Sequence, residues 1–215
     1  MKSVLSIAIF ALFFLAGCAS LPSLEPLSTV DNEPAVCQRP WVTEKRQFVH
    51  AIAVTLPDGK KTLITGVTTI YPEQRSVHAV IMTIEGLVLF EGRAKGDKVE
   101  IQRGISLFSS GAFAEGLMND VRLIFLKPVT APTEVGSSRG FDVVCRYRDG
   151  DSGVVDVKIG RGGDWELAQY DAANRLLRRV IARSGTASNR GSVPGRIKLT
   201  AEGTFGYSLD MQLIQ

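Results

Sequence analysis

The residues of this chain that could do covalent or metal chemistry are few: Cys18, Cys37 and Cys145, with His50 and His78 as the two histidines. A thiol can be acylated, oxidised to a disulfide or bound to a metal, and an imidazole can ligate a metal or move a proton. No cysteine or histidine stands at zinc-ligand spacing, so no metal site is expected. His50 and His78 each fall within a strand-like run, where a lone histidine reads as a surface or satisfied core residue. Ser109, Ser110 and Gly111 precede a helical pattern and read as a helix cap, not as the Gly-x-Ser-x-Gly elbow of a hydrolase. Asp149, Asp151 and Asp156 straddle a turn without the Gly and Glu positions of a calcium loop, and turn chemistry is their expected role. The residues therefore point away from an enzyme, and no catalytic residue and no cofactor is expected.

The segment that positions Cys18 is more telling. Lys2 is followed by an apolar run from Val4 to Leu15 and then by Ala16-Gly17-Cys18, the layout of a secretory signal and too short for a transmembrane helix. The sequence Leu15-Ala16-Gly17-Cys18 resembles the bacterial lipobox. That resemblance implies removal of residues 1–17, attachment of diacylglycerol to the Cys18 thiol, and often acylation of the new amine, palmitate-type chains included. With each buried methylene contributing about 0.8 kcal/mol, two or more chains hold a protein on a bilayer without spanning it. Ala19 in place of Asp resembles sorting to the outer membrane, with the body facing the periplasm. The plainer alternative is a secreted protein with an incidental cysteine.

With Cys18 taken by lipid, Cys37 and Cys145 remain as one pair in an oxidising compartment, and a disulfide between them is expected; two buried thiols are the alternative. Removal of the signal leaves 198 of 215 residues, enough for one domain with a substantial core. The 25 Lys+Arg and 22 Asp+Glu are interspersed along the chain, which argues against nucleic acid as a partner.

Residues 18–40 carry Pro22, Pro26, Pro34 and Pro40 among Ser, Asp and Glu and read as a lipidated cysteine followed by a flexible tether. Residues 41–215 read as a single domain. Runs rich in Val, Ile, Thr, Phe and Leu, broken every ten or so residues by turn signals, predict antiparallel strands at 47–56, 61–71, 76–84, 87–94, 98–105, 141–147, 153–159, 165–170, 176–182, 195–201 and 206–214. Between them, residues 130–140 read as a connection and 184–194 as a mobile loop. The alternation of Tyr207, Leu209, Met211 and Leu213 against Ser208, Asp210 and Gln212 gives the last strand one wet face. Residues 110–126 instead place Phe113, Leu117, Val121 and Ile124 at helical spacing, and Pro128 ends the helix.

About eleven strands cannot stay flat with a single helix to cover them, so the expected fold class is mainly β: a curved antiparallel half-barrel with one helix packed on or into its concave face. Such a surface offers an apolar cavity. The helix is expected to plug the core or to act as a movable lid. Ile81, Leu89, Phe113, Leu117, Val121 and Tyr207 are the expected ligand-lining residues, although one residue of register slip inverts every strand assignment. Arg178, Arg179, Arg183, Arg190 and Arg196 read as a solvated basic face or a contact for anionic headgroups.

The run Gly86-Leu87-Val88-Leu89-Phe90-Glu91-Gly92, the helix ending Asn119-Asp120-Val121-Arg122-Leu123-Ile124-Phe125-Leu126-Lys127-Pro128, and the terminal Ile197-Lys198-Leu199 and Gly206-Tyr207-Ser208-Leu209, together with the anchored Cys18, resemble an uncharacterised bacterial outer-membrane lipoprotein family. That family is similar in fold to the outer-membrane lipoprotein receptor and the periplasmic lipoprotein carrier (LolA/LolB-like), and some members sit beside aryl-polyene synthesis genes. Over residues 40–215 the resemblance implies a lidded half-barrel that binds lipid, acyl chains or lipoprotein and moves them toward the outer membrane without covalent chemistry. The receptor's exposed loop leucine has its nearest counterpart at Leu87, which a strand could equally bury. The alternative function is a structural accessory lipoprotein with an envelope protein as partner and no transported ligand.

Overall fold

The computed structural model describes residues 20–27, 33–105, 111–148, 153–184, 194–203 and 206–215. Cys18 and the signal segment, Ser109, Ser110, Asp149, Asp151 and Arg190 lie outside the described residues. A helical turn at Glu33–Val36 leads into twelve strands and one long helix. The strands are β1 (Arg46–Thr55), β2 (Lys61–Tyr71), β3 (Ser76–Met82), β4 (Val88–Lys95), β5 (Lys98–Gly104), β6 (Glu134–Ser138), β7 (Phe141–Arg148), β8 (Val154–Ile159), β9 (Trp165–Tyr170), β10 (Leu176–Ser184), β11 (Pro194–Ala201) and β12 (Tyr207–Leu213). Helix α1 (Gly111–Phe125) joins β5 to β6.

All twelve strands form one open antiparallel sheet in the order β5-β4-β3-β2-β1-β12-β11-β10-β9-β8-β7-β6. Two meanders are therefore stitched together by the pairing of the first and last strands, in which Ile52 faces Met211 and Thr55 faces Ser208. The sheet does not close, since β5 and β6 are its edges. The strand that sequence reasoning missed is β6, whose EVGSS sequence inside a Pro/Gly/Ser-rich stretch has too little apolar alternation to read as a strand. It is held by pairing with β7, Val135 opposite Cys145.

Sheet curvature follows from what meets on the inner face. Strands β1 and β9 are four steps apart, about 19 Å in a flat sheet. Yet Phe48 and His50 of β1, Trp165 of β9, Ile197 of β11 and Ile124 and Phe125 of α1 line one cavity of about 20 Å³. One core runs through Phe48, Ile70, Val77, Phe90, Met118, Tyr147, Trp165, Leu167, Ile197 and Leu199, drawn from strands on both halves and from the helix. The architecture is thus a mainly β half-barrel wrapped around a single helix.

The second half of the sheet is also covered on its convex face. Asp156, read from sequence as a turn residue, is instead fully buried within β8, because Arg146 of β7 donates to it through Nε and Nη2 at 2.7 and 2.9 Å. The same guanidinium donates to Glu134 Oε2 at 3.0 Å and to the Pro22 carbonyl at 2.8 Å. Leu21 packs on Val154, Ala168 and Tyr170, and Glu25 bridges to Ser137 of the edge strand β6. Residues 20–27 therefore lie as a strap over the back of β6–β10.

Candidate functional site

Helix α1 crosses the concave face and is held differently on its two sides. Toward β3–β5 the contact is close packing. Ala114 and Met118 are fully buried, and Gly92 of β4 leaves room for the helix: a Cβ there would lie 3.3 Å from Met118 Sδ and 2.5 Å from Phe90 Cζ. At the helix C-terminus, Phe125 stacks on Phe48 of β1 with centroids 5.7 Å apart, and Arg75 Nη1 donates to the Lys127 carbonyl at 3.1 Å.

Toward β10 and β12 the contact is polar, whereas Ile124 and Phe125 meet Trp165 of β9 and Ile197 of β11 around the cavity. Asp120, 3% exposed, receives a hydrogen bond from Arg178 Nε of β10 at 2.9 Å. Tyr207 Oη of β12 donates a short hydrogen bond to its second carboxylate oxygen. The Arg178 guanidinium also lies 5.9 Å from the Tyr207 ring centroid, a cation–π distance. Burial pushes the Asp120 carboxyl above the usual carboxylate range, opposed by the Tyr207 hydrogen bond and the Arg178 charge. Burial, reinforced by Asp120, pushes the Tyr207 phenol well above its ordinary value. Sequence reading singled out Tyr207 but passed over Asp120, whose carboxylate interrupts an apolar helix face and could have been flagged as a buried charge in need of a partner.

The other sequence-derived residues fall into place unevenly. Ile81 is buried in β3 opposite Phe90. Leu117, Val121 and Tyr207 are half-buried against the same core. Leu89 is half-buried at the start of β4 and packs at the edge of that core, while its neighbour Phe90 is the fully buried residue. Phe113 stands 40% exposed at the start of the helix. Of the expected helix face, Ile124 is buried at 3%, Leu117 and Val121 are half-buried and Phe113 is exposed; Ala114 and Met118 are the fully buried apolar positions, because the tight approach at Gly92 selects small and flexible side chains there. Cys37 and Cys145 are joined by a disulfide with Cα atoms 5.8 Å apart, tying the chain ahead of β1 to β7.

Three buried nitrogens lack a hydrogen-bond partner among the described residues: Trp41 Nε1, His50 Nδ1 and Trp165 Nε1. His50 and Trp165 line the 20 Å³ cavity at the C-terminal end of the helix. Burial lowers the His50 pKa to about 4, so the ring is neutral near pH 7. His78 instead faces Glu91 on the partly exposed side of β3 and β4, at 3.1 Å. The arginines read as a basic face are paired: Arg179 with Glu166 at 3.3 Å, Arg183 with Asp164 at 2.7 Å, and Arg196 Nε with Asp210 at 2.7 Å. Among the described residues no three His, Cys, Asp or Glu side chains cluster as metal ligands would.

At one end of the half-barrel several large apolar side chains meet solvent. The β3–β4 turn exposes Ile84 and Leu87, at 66% and 64%. Leu56, Leu63, Ile105 and Phe113 are also exposed at that end, so Leu87 is at a hairpin tip and not within a strand. No described helix is long and apolar enough to cross a membrane.

The architecture is that of an open, mainly β half-barrel carrying one helix on its concave face. The chain is similar to a LolA superfamily protein from Nitrosomonas europaea, with 14% sequence identity, 87% of this chain and 92% of that chain covered, and a TM-score of 0.51. That likeness shows a shared fold. A domain named for outer membrane lipoprotein sorting, from Vibrio parahaemolyticus, aligns over 79% of this chain and 83% of its own at 10% identity and a TM-score of 0.35. No protein-family model matches the chain, and no curated protein matches it.

Proposed function

We propose that this protein is a non-enzymatic lipoprotein of the bacterial envelope, anchored through acylated Cys18, that holds a lipid or the acyl part of a lipoprotein between α1 and the concave face of its half-barrel. The observation that carries this reading is the asymmetric seating of the helix: apolar packing on β3–β5, and on β10 and β12 a polar contact through Asp120, Arg178 and Tyr207. A permanent plug would gain at least as much from an apolar residue at position 120, since replacing a buried ion pair by well-packed apolar groups is often neutral or stabilising. An ion pair separates into two groups that water solvates, so it suits a helix that must leave the sheet. The likeness to a LolA superfamily structure supports the same reading.

In the conformation described, the cavity at the helix C-terminus has room for about one water molecule. Ligand entry therefore requires the helix to swing away from β10 and β12, with β3–β5 as the hinge side. His50 and Trp165 then supply unpaired nitrogens at the base of the hollow, suited to a carbonyl or hydroxyl on an otherwise apolar ligand. The filled interior favours a second reading, an accessory lipoprotein that binds an envelope partner and carries no ligand. Titration with a dansylated long-chain fatty acid separates the two. Saturable enhancement that is lost in a folded Leu117→Glu variant supports the lidded carrier; no binding, or equal binding by the variant, contradicts it.

A further inference from the structure

We infer that the strap formed by residues 20–27 orients the body on its membrane, with the end of the half-barrel that bears Leu56, Ile84 and Leu87 turned toward the bilayer. The inference rests on the lipid-anchored reading of Cys18. Its first observation is the course of the strap. Leu21 packs on Val154 at the start of β8 and Tyr170 at the end of β9, Arg146 grips the Pro22 carbonyl, and the Glu25 amide and carbonyl pair with Ser137 at 2.9 and 2.8 Å. Cys18 is two residues from Ser20, so chain geometry keeps its Cα within about 8 Å of the start of the strap.

The second observation comes from the registers, which show which end of the sheet that is. Val154 and Leu176 both pair with Tyr170. Arg178 of the same strand faces Ala201, Ala201 faces Tyr207, and Ser208 faces Thr55. Thr55 faces Lys61 across the turn that exposes Leu56. Met82, at the end of β3, pairs with Thr65 of β2, so the Ile84 and Leu87 turn lies at this end too. The opposite end carries Arg75, Lys95, Asp97 and Lys98 at its β2–β3 and β4–β5 turns, where no large apolar residue is exposed, and it also exposes Ile214 after β12.

The anchor and the exposed apolar turns therefore share one end, although they belong to opposite halves of the sheet. A free tether of some twenty residues would leave the body to tumble above the bilayer. A strap clamped by Arg146 removes that freedom and sets the apolar turns at headgroup depth. The occupant we assign to these turns is the lipid surface to which Cys18 is attached.

The test couples the chain from Cys18 onward, through its thiol, to maleimide-headgroup lipid in phosphatidylcholine vesicles brominated along their acyl chains. Tryptophan is introduced as Leu87→Trp or, at the opposite end, Lys98→Trp, and the emission it adds, after subtraction of the signal of the parent chain with its buried Trp41 and Trp165, is compared with that on unbrominated vesicles. The expected result is at least twofold quenching at position 87 and none at 98. The difference should disappear on adding Gly136→Val, because a Cβ at Gly136 would lie 2.7 Å from the Glu25 carbonyl oxygen and 2.8 Å from Leu24 Cβ, which forces the strap off β6. Leu21→Asp is the second release variant should Gly136→Val fail to fold. Equal quenching at the two positions overturns the inference, as a protein occupant at these turns would also produce. So does selective quenching that survives release of the strap. Because the coupling is chemical, the outcome is independent of whether cells acylate Cys18 and of whether the hollow holds a ligand.

Discussion

Replacing Asp120 by Asn should loosen helix α1 without loosening the sheet. Asp120 accepts two hydrogen bonds, from Arg178 Nε at 2.9 Å and from Tyr207. Bonds to a charged group contribute about 1.5–3 kcal/mol each. The Asn amide keeps one acceptor oxygen, so one such bond and the charge attraction are lost. Against this, neutralising a carboxylate that burial already pushes toward its protonated form recovers part of the desolvation cost. Arg178, whose side chain is 24% exposed, regains water when released, which further limits the penalty. The net loss comes to about 2 kcal/mol, equivalent to roughly 30-fold more frequent opening of the helix. Native-state hydrogen exchange reads this directly: amides of residues 115–125 should exchange about 30-fold faster while those of β9–β11 keep their rates. The double replacement Asp120→Leu with Arg178→Met should restore slow exchange, since it removes both charges and leaves neither buried alone. Unchanged helix rates, or acceleration spread evenly over helix and sheet, would refute the reasoning, because the polar contact would then be irrelevant to helix release or inseparable from global unfolding.

Replacing Cys37 and Cys145 together by Ala should lower stability by up to about 4.8 kcal/mol for a sequence separation of 108 residues, measured by urea unfolding; a loss below about 1 kcal/mol would show that the disulfide constrains little. His50, with its pKa lowered to about 4 against about 6.5 in the unfolded chain, refuses a proton that the unfolded chain accepts, so its contribution falls as pH drops from 6.5 to 4, by about 3 kcal/mol in all. His50→Phe should remove that loss when unfolding at pH 7 and pH 4.5 is compared with the parent, and an identical pH dependence in the two proteins would contradict the assignment; Asp120, shifted the opposite way, is common to both. Gly92→Val should cost about 2 kcal/mol by overpacking against Phe90 and Met118, and an unchanged melting temperature would show that the helix does not press on β4.

Most of the architecture is legible in the sequence because period-two alternation and turn residues report directly on a meander. β2 and β9 begin and end where the sequence pattern places them, and most other boundaries move by one or two residues. The strand β6 escapes because its stability comes from the partner β7 and the strap, not from its own apolar content. The helix is found and Ile124 is buried as expected, but Ala114 and Met118 take the innermost positions ahead of Phe113 and Leu117, a choice made by the absence of a side chain at Gly92 on another element. Arg178 and Tyr207 lie 58 and 87 residues beyond Asp120 along the chain, so no local spacing marks them as one unit. Asp156 is misread for the same reason: it sits near a turn in sequence, while Arg146, its partner, reaches it only across β7 and β8.

The central claim is that the hollow under α1 holds an apolar ligand, and native mass spectrometry tests it most directly. Residues 19–215, exported to the periplasm behind a cleavable signal and without Cys18, should carry an additional lipid or acyl mass that denaturation releases. A clean apo mass from a folded chain with the disulfide between Cys37 and Cys145 intact would contradict the account and leave the accessory lipoprotein in its place.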